Sequence, residues 1–218
     1  MRFARPAGLF AALLASTGIP LLASPPAGAA ACTDVDVVVA RGTGEPGTLG
    51  VIVGGPVFAA LRASLPGKSV SSYAVAYPAS LQPDSASRGN QDLVDHVTSQ
   101  AAACGNQRFV LVGYSQGANV VANSVGISSD GALVGGPIVA TLPPEVAPRV
   151  AALLTFGPPI AKLGKHITGE YQDRTKEFCA AGDPICRPDG TNILAHLSYS
   201  LKAGEAAAFA AARINGGQ

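Results

Sequence analysis

Arg108-Phe-Val-Leu-Val-Gly113-Tyr-Ser115-Gln-Gly117-Ala-Asn-Val-Val121 decides the fold. An apolar, β-branched run meets a Gly-x-Ser-x-Gly turn and then a segment with helical spacing, which predicts a strand, a tight turn and a helix. The two glycines admit the sharp turn and the close approach of helix to strand, and the serine stands at the apex with its hydroxyl exposed. The same turn aims the backbone N–H of Gln116 at the place where an oxyanion would form. A Gly-x-Ser-x-Gly match also occurs in Gly-rich strand-to-helix connections that do no chemistry. Ser115 is therefore a candidate nucleophile for which the rest of the chain must supply partners.

The beginning of the chain reads as a leader. Arg2 and Arg5 precede an apolar run over residues 7–23, and small residues follow, with cleavage expected after Ala29 or Ala31. Residues 1–31 are thus expected to be a secretory signal peptide, and residues 32–218 a single domain. A retained anchor is disfavoured because Pro20, Pro25 and Pro26 interrupt the stretch, so no stable membrane insertion is expected after cleavage. Lipid attachment at Cys32 is disfavoured by Ala29, where a large aliphatic would be needed. Only 13% of residues are charged, 48% are hydrophobic and the formal net charge is +1. Nothing in that balance recruits nucleic acid, and the partner expected is neutral or apolar.

Export changes the meaning of the cysteines. Cys32, Cys104, Cys179 and Cys186 are even in number and lack zinc-type spacing, which points to two disulfides and no metal. Three connectivities are possible. The closeness of Cys179 to Cys186 favours a small loop, which leaves Cys32 to reach Cys104 at a helix end.

Strands alternate with helices along the mature chain. Residues 34–40 form a β-branched run, residues 49–65 repeat with helical period, and residues 70–77 read as a second strand. An amphipathic helix is expected over 85–104, a fourth strand over 150–156, a short fifth over 174–178, and a closing helix over 203–214. Strands that are apolar throughout imply a parallel sheet covered on both faces, with ligands at the strands' carboxyl ends. The Gly/Pro-rich stretch 126–148 is expected to wrap the edge as irregular structure.

Gly42-Thr-Gly44-Glu-Pro-Gly47 matches the dinucleotide pattern Gly-x-Gly-x-x-Gly. No Asp or Glu occurs between Glu45 and Asp84, however, so the acidic residue that should bind the ribose is missing, and Pro46 interrupts the turn. The loop reads better as an oxyanion-hole loop in which Thr43 faces Ser115.

A serine hydroxyl attacks an ester only with a base in reach and a carboxylate to orient that base. On α/β sheets with this turn, the chain order is Ser, acid, His. His96 precedes the turn and reads as a solvated helix residue, and His166 has no carboxylate before it in a strand-end loop. His196 follows Asp183, which sits after the fifth strand, so Ser115, Asp183 and His196 fit the order.

Arg41-Gly-Thr-Gly-Glu, Tyr77-Pro-Ala-Ser, Gly113-Tyr-Ser-Gln-Gly-Ala, Cys179-Ala-Ala-Gly-Asp-Pro-Ile-Cys and His196-Leu-Ser-Tyr together resemble the cutinase family, especially its actinobacterial serine esterases. The resemblance spans essentially the whole mature chain. It implies an α/β-hydrolase with a central five-stranded parallel sheet flanked by helices and no lid. It also implies Ser115 as nucleophile, Asp183 as acid and His196 as base, an oxyanion hole of Thr43 and Gln116, two disulfides, and no metal or cofactor. Fungal members carry Ser where Thr43 stands, and Ser198 replaces an alanine common after His-Leu, so substrate range is less determined than mechanism. The expected activity is hydrolysis of carboxylic esters with short to medium acyl chains, of lipid or polyester type, by a secreted monomer, with retention at the cell envelope left open. Leu81, Ile185, Ile193 and Leu194 are candidates for an acyl-binding rim or, alternatively, buried loop anchors. An acyltransferase or an acetyl xylan esterase-type deacetylase would use the same triad.

Overall fold

The computed structural model describes Met1, residues 32–46 and residues 48–216. The expected leader, Met1 apart, and Gly47 lie outside the described residues. Five strands, β1 (Val35–Ala40), β2 (Val70–Ala74), β3 (Arg108–Tyr114), β4 (Val150–Phe156) and β5 (Thr175–Phe178), form one sheet. Its order is β2-β1-β3-β4-β5 and every pairing is parallel. The helices are α1 (Gly55–Ser64), α2 (Ser85–Ala103), α3 (Gln116–Ser124), the short α4 (Ile193–His196) and α5 (Ala203–Gly216).

Every residue of β1 and β4 is buried, as is all of β3 after Arg108. The cause is that both faces are covered. Val38, Leu111 and Leu153 pack with residues of α2 and α3, such as Leu93, Val97 and Val121. Val37, Val110 and Leu154 pack on the opposite side with residues of α1 and α5, such as Leu61 and Ala207. A strand with no wet face shows no polar alternation, which is why these runs read as continuous in the sequence.

Three elements depart from expectation. The second strand ends at Ala74 rather than at Tyr77; the N–H of Ala76 goes to Asp92 Oδ2 on α2 at 2.8 Å, which turns the chain out of the sheet. The helix expected over 49–65 begins as a π-helical turn, Gly50–Gly54, before α1. A side chain at Gly54 would put its Cβ 2.0 Å from the Leu49 carbonyl oxygen, so this winding depends on glycine. His96 is not solvated: its Nε2 lies 2.7 Å from Asp36 Oδ2, and its ring stacks on Tyr73 with centroids 3.5 Å apart.

Residues 126–148 are irregular, as expected. The Asn90 side chain accepts the N–H groups of Val139 and Ala140, and Asn123 donates to the Gly136 carbonyl. Among the described residues, segments 126–148 and 157–173 contain short 3-10 turns and no helix that could close over the sheet end as a lid.

Both disulfides form as expected, Cys32 with Cys104 and Cys179 with Cys186, at sequence separations of 72 and 7. The long bridge ties the start of the described domain to the end of α2. Loop closure assigns it about 4 kcal/mol. The Cys32→Ser, Cys104→Ser double variant is therefore expected to lose about that much in urea unfolding; an unchanged unfolding midpoint would contradict this.

Candidate active site

At the end of β3 the chain reverses through Ser115, which holds φ +53° and ψ −117°. L-residues rarely adopt that region, and such strain persists only where the surroundings enforce it. The enforcement is visible. Ser115 N–H donates to the Phe156 carbonyl on β4 at 2.8 Å, and the Ser115 carbonyl accepts from Ala118 N–H at 2.9 Å. A Cβ on Gly117 would fall 1.9 Å from the Ala40 carbonyl oxygen, and one on Gly113 would fall 2.4 Å from the Gly117 carbonyl oxygen. Only glycine permits α3 to start so close to the ends of β1 and β3.

That close approach also brings the Thr43 loop to the turn. Glu45 folds the loop on itself by accepting the N–H groups of Gly42 at 2.7 Å and Ile52 at 2.8 Å, and Gly44 N–H donates to the Ala79 carbonyl. The N–H groups of Gly42, Gly44 and Ile52 are thereby occupied within the protein. The Thr43 hydroxyl oxygen is buried and has no partner among the described residues. α3 begins at Gln116, whose N–H has no acceptor within the helix.

Beyond β5, the Cys179–Cys186 bridge closes a loop around Asp183, which is fully buried. Asp183 Oδ1 accepts the N–H of Ile185 at 2.8 Å. His196 ends α4, a helix capped by the Asn192 side chain accepting from Leu194 N–H. Its Nδ1 lies 2.8 Å from Asp183 Oδ2, and its carbonyl accepts from the Tyr114 hydroxyl at 2.8 Å. With Nδ1 engaged, Nε2 is the ring nitrogen left for a reacting proton.

The elbow and this acid–base pair meet at Phe156-Gly157. Phe156 accepts the Ser115 N–H, and a Cβ on Gly157 would lie 2.6 Å from His196 Cε1 and 3.0 Å from Asp183 Oδ2. The turn at Ser115 and Gln116, the Thr43 loop and the Asp183–His196 pair thus all follow the carboxyl ends of strands of the sheet. His166 is left apart, its Nδ1 3.2 Å from the Glu177 carboxylate at the sheet edge.

Of the rim candidates, Leu81, Ile193 and Leu194 are 79%, 53% and 69% exposed, which excludes buried anchors. Ile185 is half-buried and lines a groove of about 410 Å³ with Leu133, Pro159 and Leu163. Leu81 follows Ser80, whose carbonyl accepts from Gln116 Nε2 at 2.8 Å. Gln116 Oε1 also accepts from the Ser85 hydroxyl, so this side chain pins the 80–85 loop to the elbow. The sequence gives no sign of that tether, because it spans 31 residues. Gly157 directly follows an apolar strand, where the sequence already places the site.

Comparison with known proteins agrees with this geometry. The family model described as Cutinase matches residues 31–214. A cutinase of Kineococcus radiotolerans is 44% identical over 176 residues, which cover 79% of this chain and 58% of that protein. Carboxylesterase Culp1 of Mycobacterium tuberculosis is 37% identical over 219 residues, covering 93% and 94% of the two chains. Among solved structures, a Trichoderma reesei cutinase with a bound phosphonate inhibitor superposes with a TM-score of 0.66 at 29% identity, covering 84% of this chain and 77% of that one.

Gly157 offers a direct test of the site's construction. A Cβ there would meet the imidazole at 2.6 Å from a residue already at φ +54°. Gly157→Ala is expected to lower kcat on a soluble ester by about 100-fold through displacement of His196. Turnover equal to the parent enzyme's would show that this contact does not position the ring.

Proposed function

The chain belongs to the cutinase family, and on that premise we propose that it hydrolyses carboxylic esters at Ser115, with His196 as base and Asp183 orienting it. The observation that carries this reading is a serine held at φ +53° and bonded to Phe156, with the adjoining Gly157 packed against a buried histidine–carboxylate pair. A backbone strained in that way is costly and serves to present a side chain.

His196 Nε2 takes the proton as Ser115 Oγ bonds to the ester carbonyl carbon, and the carbonyl electrons move onto oxygen. The resulting oxyanion accepts hydrogen bonds from the Gln116 N–H and the Thr43 hydroxyl. Collapse of this intermediate breaks the ester C–O bond, and the alcohol leaves with the proton held by His196. Water then attacks the acyl-serine, His196 taking its proton, and collapse returns that proton to Ser115 Oγ as the acid departs. Asp183 accepts from Nδ1 and fixes the ring so that Nε2 faces the reacting oxygen.

The substrate class follows from the surroundings. Leu81, Ile193 and Leu194 are exposed aliphatics on segments tied to the site, as an apolar acyl chain would require. The two disulfides support action outside the cell. Among the described residues no helix is long and apolar enough to cross a membrane. The proposed triad and oxyanion donors all come from one chain, so a monomer is sufficient.

Thr43→Val keeps the shape of the side chain and removes only its donor. It is expected to lower kcat on p-nitrophenyl butyrate by about 10²- to 10³-fold, or about 2.7 to 4 kcal/mol in the barrier. Ser115→Ala is expected to abolish turnover in a folded protein. A Thr43→Val enzyme with full kcat would remove the hydroxyl from the oxyanion hole, and an active Ser115→Ala would overturn the assignment.

A further inference from the structure

We propose that Tyr199 is a positioning residue for this reaction, its phenol holding Asp183 in the rotamer that orients His196. This rests on the reading of Ser115, Asp183 and His196 as the triad. Tyr199 is 1% exposed, and its hydroxyl lies 2.5 Å from Asp183 Oδ2, the oxygen that also faces His196 Nδ1. A phenol has a single proton. The Ala180 N–H donates to the same hydroxyl oxygen at 2.9 Å, so that oxygen is the acceptor there and its own proton is directed to Asp183. Burial, reinforced by the hydrogen bond to Asp183, pushes the Tyr199 phenol far above its ordinary range. The phenol therefore remains a donor at any pH at which the enzyme works.

The geometry explains why a third donor matters. Rotation of a carboxylate about its Cβ–Cγ bond is soft and roughly two-fold. Both oxygens turn as one planar unit, and the single Ile185 N–H on Oδ1 still lets that unit rock over a small arc that the imidazole would follow. Tyr199 closes that arc. It also links the acid to Ala180, next to the Cys179–Cys186 bridge, so that the carboxylate is referenced to the stapled loop and to β5. The ring is itself held edge-on to Phe156 and Tyr114, with centroids 5.9 and 6.0 Å away. Tyr199→Phe leaves that packing intact and deletes only the hydroxyl.

The test is a double-mutant cycle in the full-length secreted enzyme, read as kcat and KM on p-nitrophenyl butyrate. Tyr199→Phe is expected to lower kcat by about tenfold with KM unchanged. Asp183→Asn alone is expected to slow turnover by a factor on the order of 10⁴. In the Asp183→Asn background the Tyr199→Phe change should cost nothing more, because the phenol acts through the carboxylate. Full kcat in Tyr199→Phe, or losses that multiply in the double variant, would overturn the positioning role. An Asp183→Asn enzyme with normal turnover would instead overturn the triad on which it rests. Should Tyr199→Phe fail to fold, proton NMR of the parent enzyme decides. The Tyr199 hydroxyl proton should appear as a slowly exchanging downfield resonance with a nuclear Overhauser contact to the His196 Nδ1 proton. Absence of that contact would exclude the shared carboxylate oxygen.

Discussion

The backbone contact between Gly117 and the Ala40 carbonyl is the constraint from which the site follows. A Cβ on Gly117 would stand 1.9 Å from that oxygen, which leaves no room for any side chain, so α3 starts directly against the end of β1. The contact does two things at once. It forces the turn at Ser115 into a region that few L-residues occupy, and it sets the Arg41–Glu45 loop beside the first N–H groups of α3. The proposed nucleophile and oxyanion donors thus come from one packing event between two covered strands and one helix. The buried sheet supplies the rigidity: β1, β3 and β4 are shielded on both faces, and a displaced elbow would have to break the Ser115–Phe156 bond within that core.

Asp183 and His196, the proposed acid and base, belong to a separate structural unit. They sit on an excursion between β5 and α5 that has little regular structure, and covalent and polar ties replace packing there. The Cys179–Cys186 bridge closes the loop, and a Cβ on Gly190 would strike the Asp183 carbonyl oxygen at 2.1 Å. Asn192 caps the single turn that ends in His196. Tyr114 on β3 joins this unit to the rest through the His196 carbonyl, and Tyr199, itself within the excursion, holds the Asp183 carboxylate. Phe156-Gly157 at the end of β4 is the point where both units touch.

The sequence makes the sheet and the proposed triad legible for different reasons. Strands β1, β3 and β4 announce themselves because burial on both faces demands apolar residues at nearly every position. The proposed triad is read from chain order, since the elbow has a local signature and only His196 has a strand-end carboxylate between the serine and itself. What stays hidden depends on partners remote in the chain. His96 reads as solvated because its partner Asp36 lies 60 residues away on β1. The role of the Gln116 side chain depends on Ser80 and Ser85, and that of Tyr199 on how the disulfide loop folds back. The π-helical start of α1 and the early end of β2 follow from single contacts, at Gly54 and Asp92, that no periodicity carries.

Reaction with an activated phosphonate ester, followed by mass mapping of the labelled peptide, addresses the elbow most directly. In the proposed mechanism the base and the oxyanion donors act at the strained turn on one oxygen atom, so a single adduct on Ser115 formed in step with loss of esterase activity is expected. An adduct on any other residue, or full inactivation with Ser115 unmodified, would contradict the assignment of the elbow as the catalytic centre.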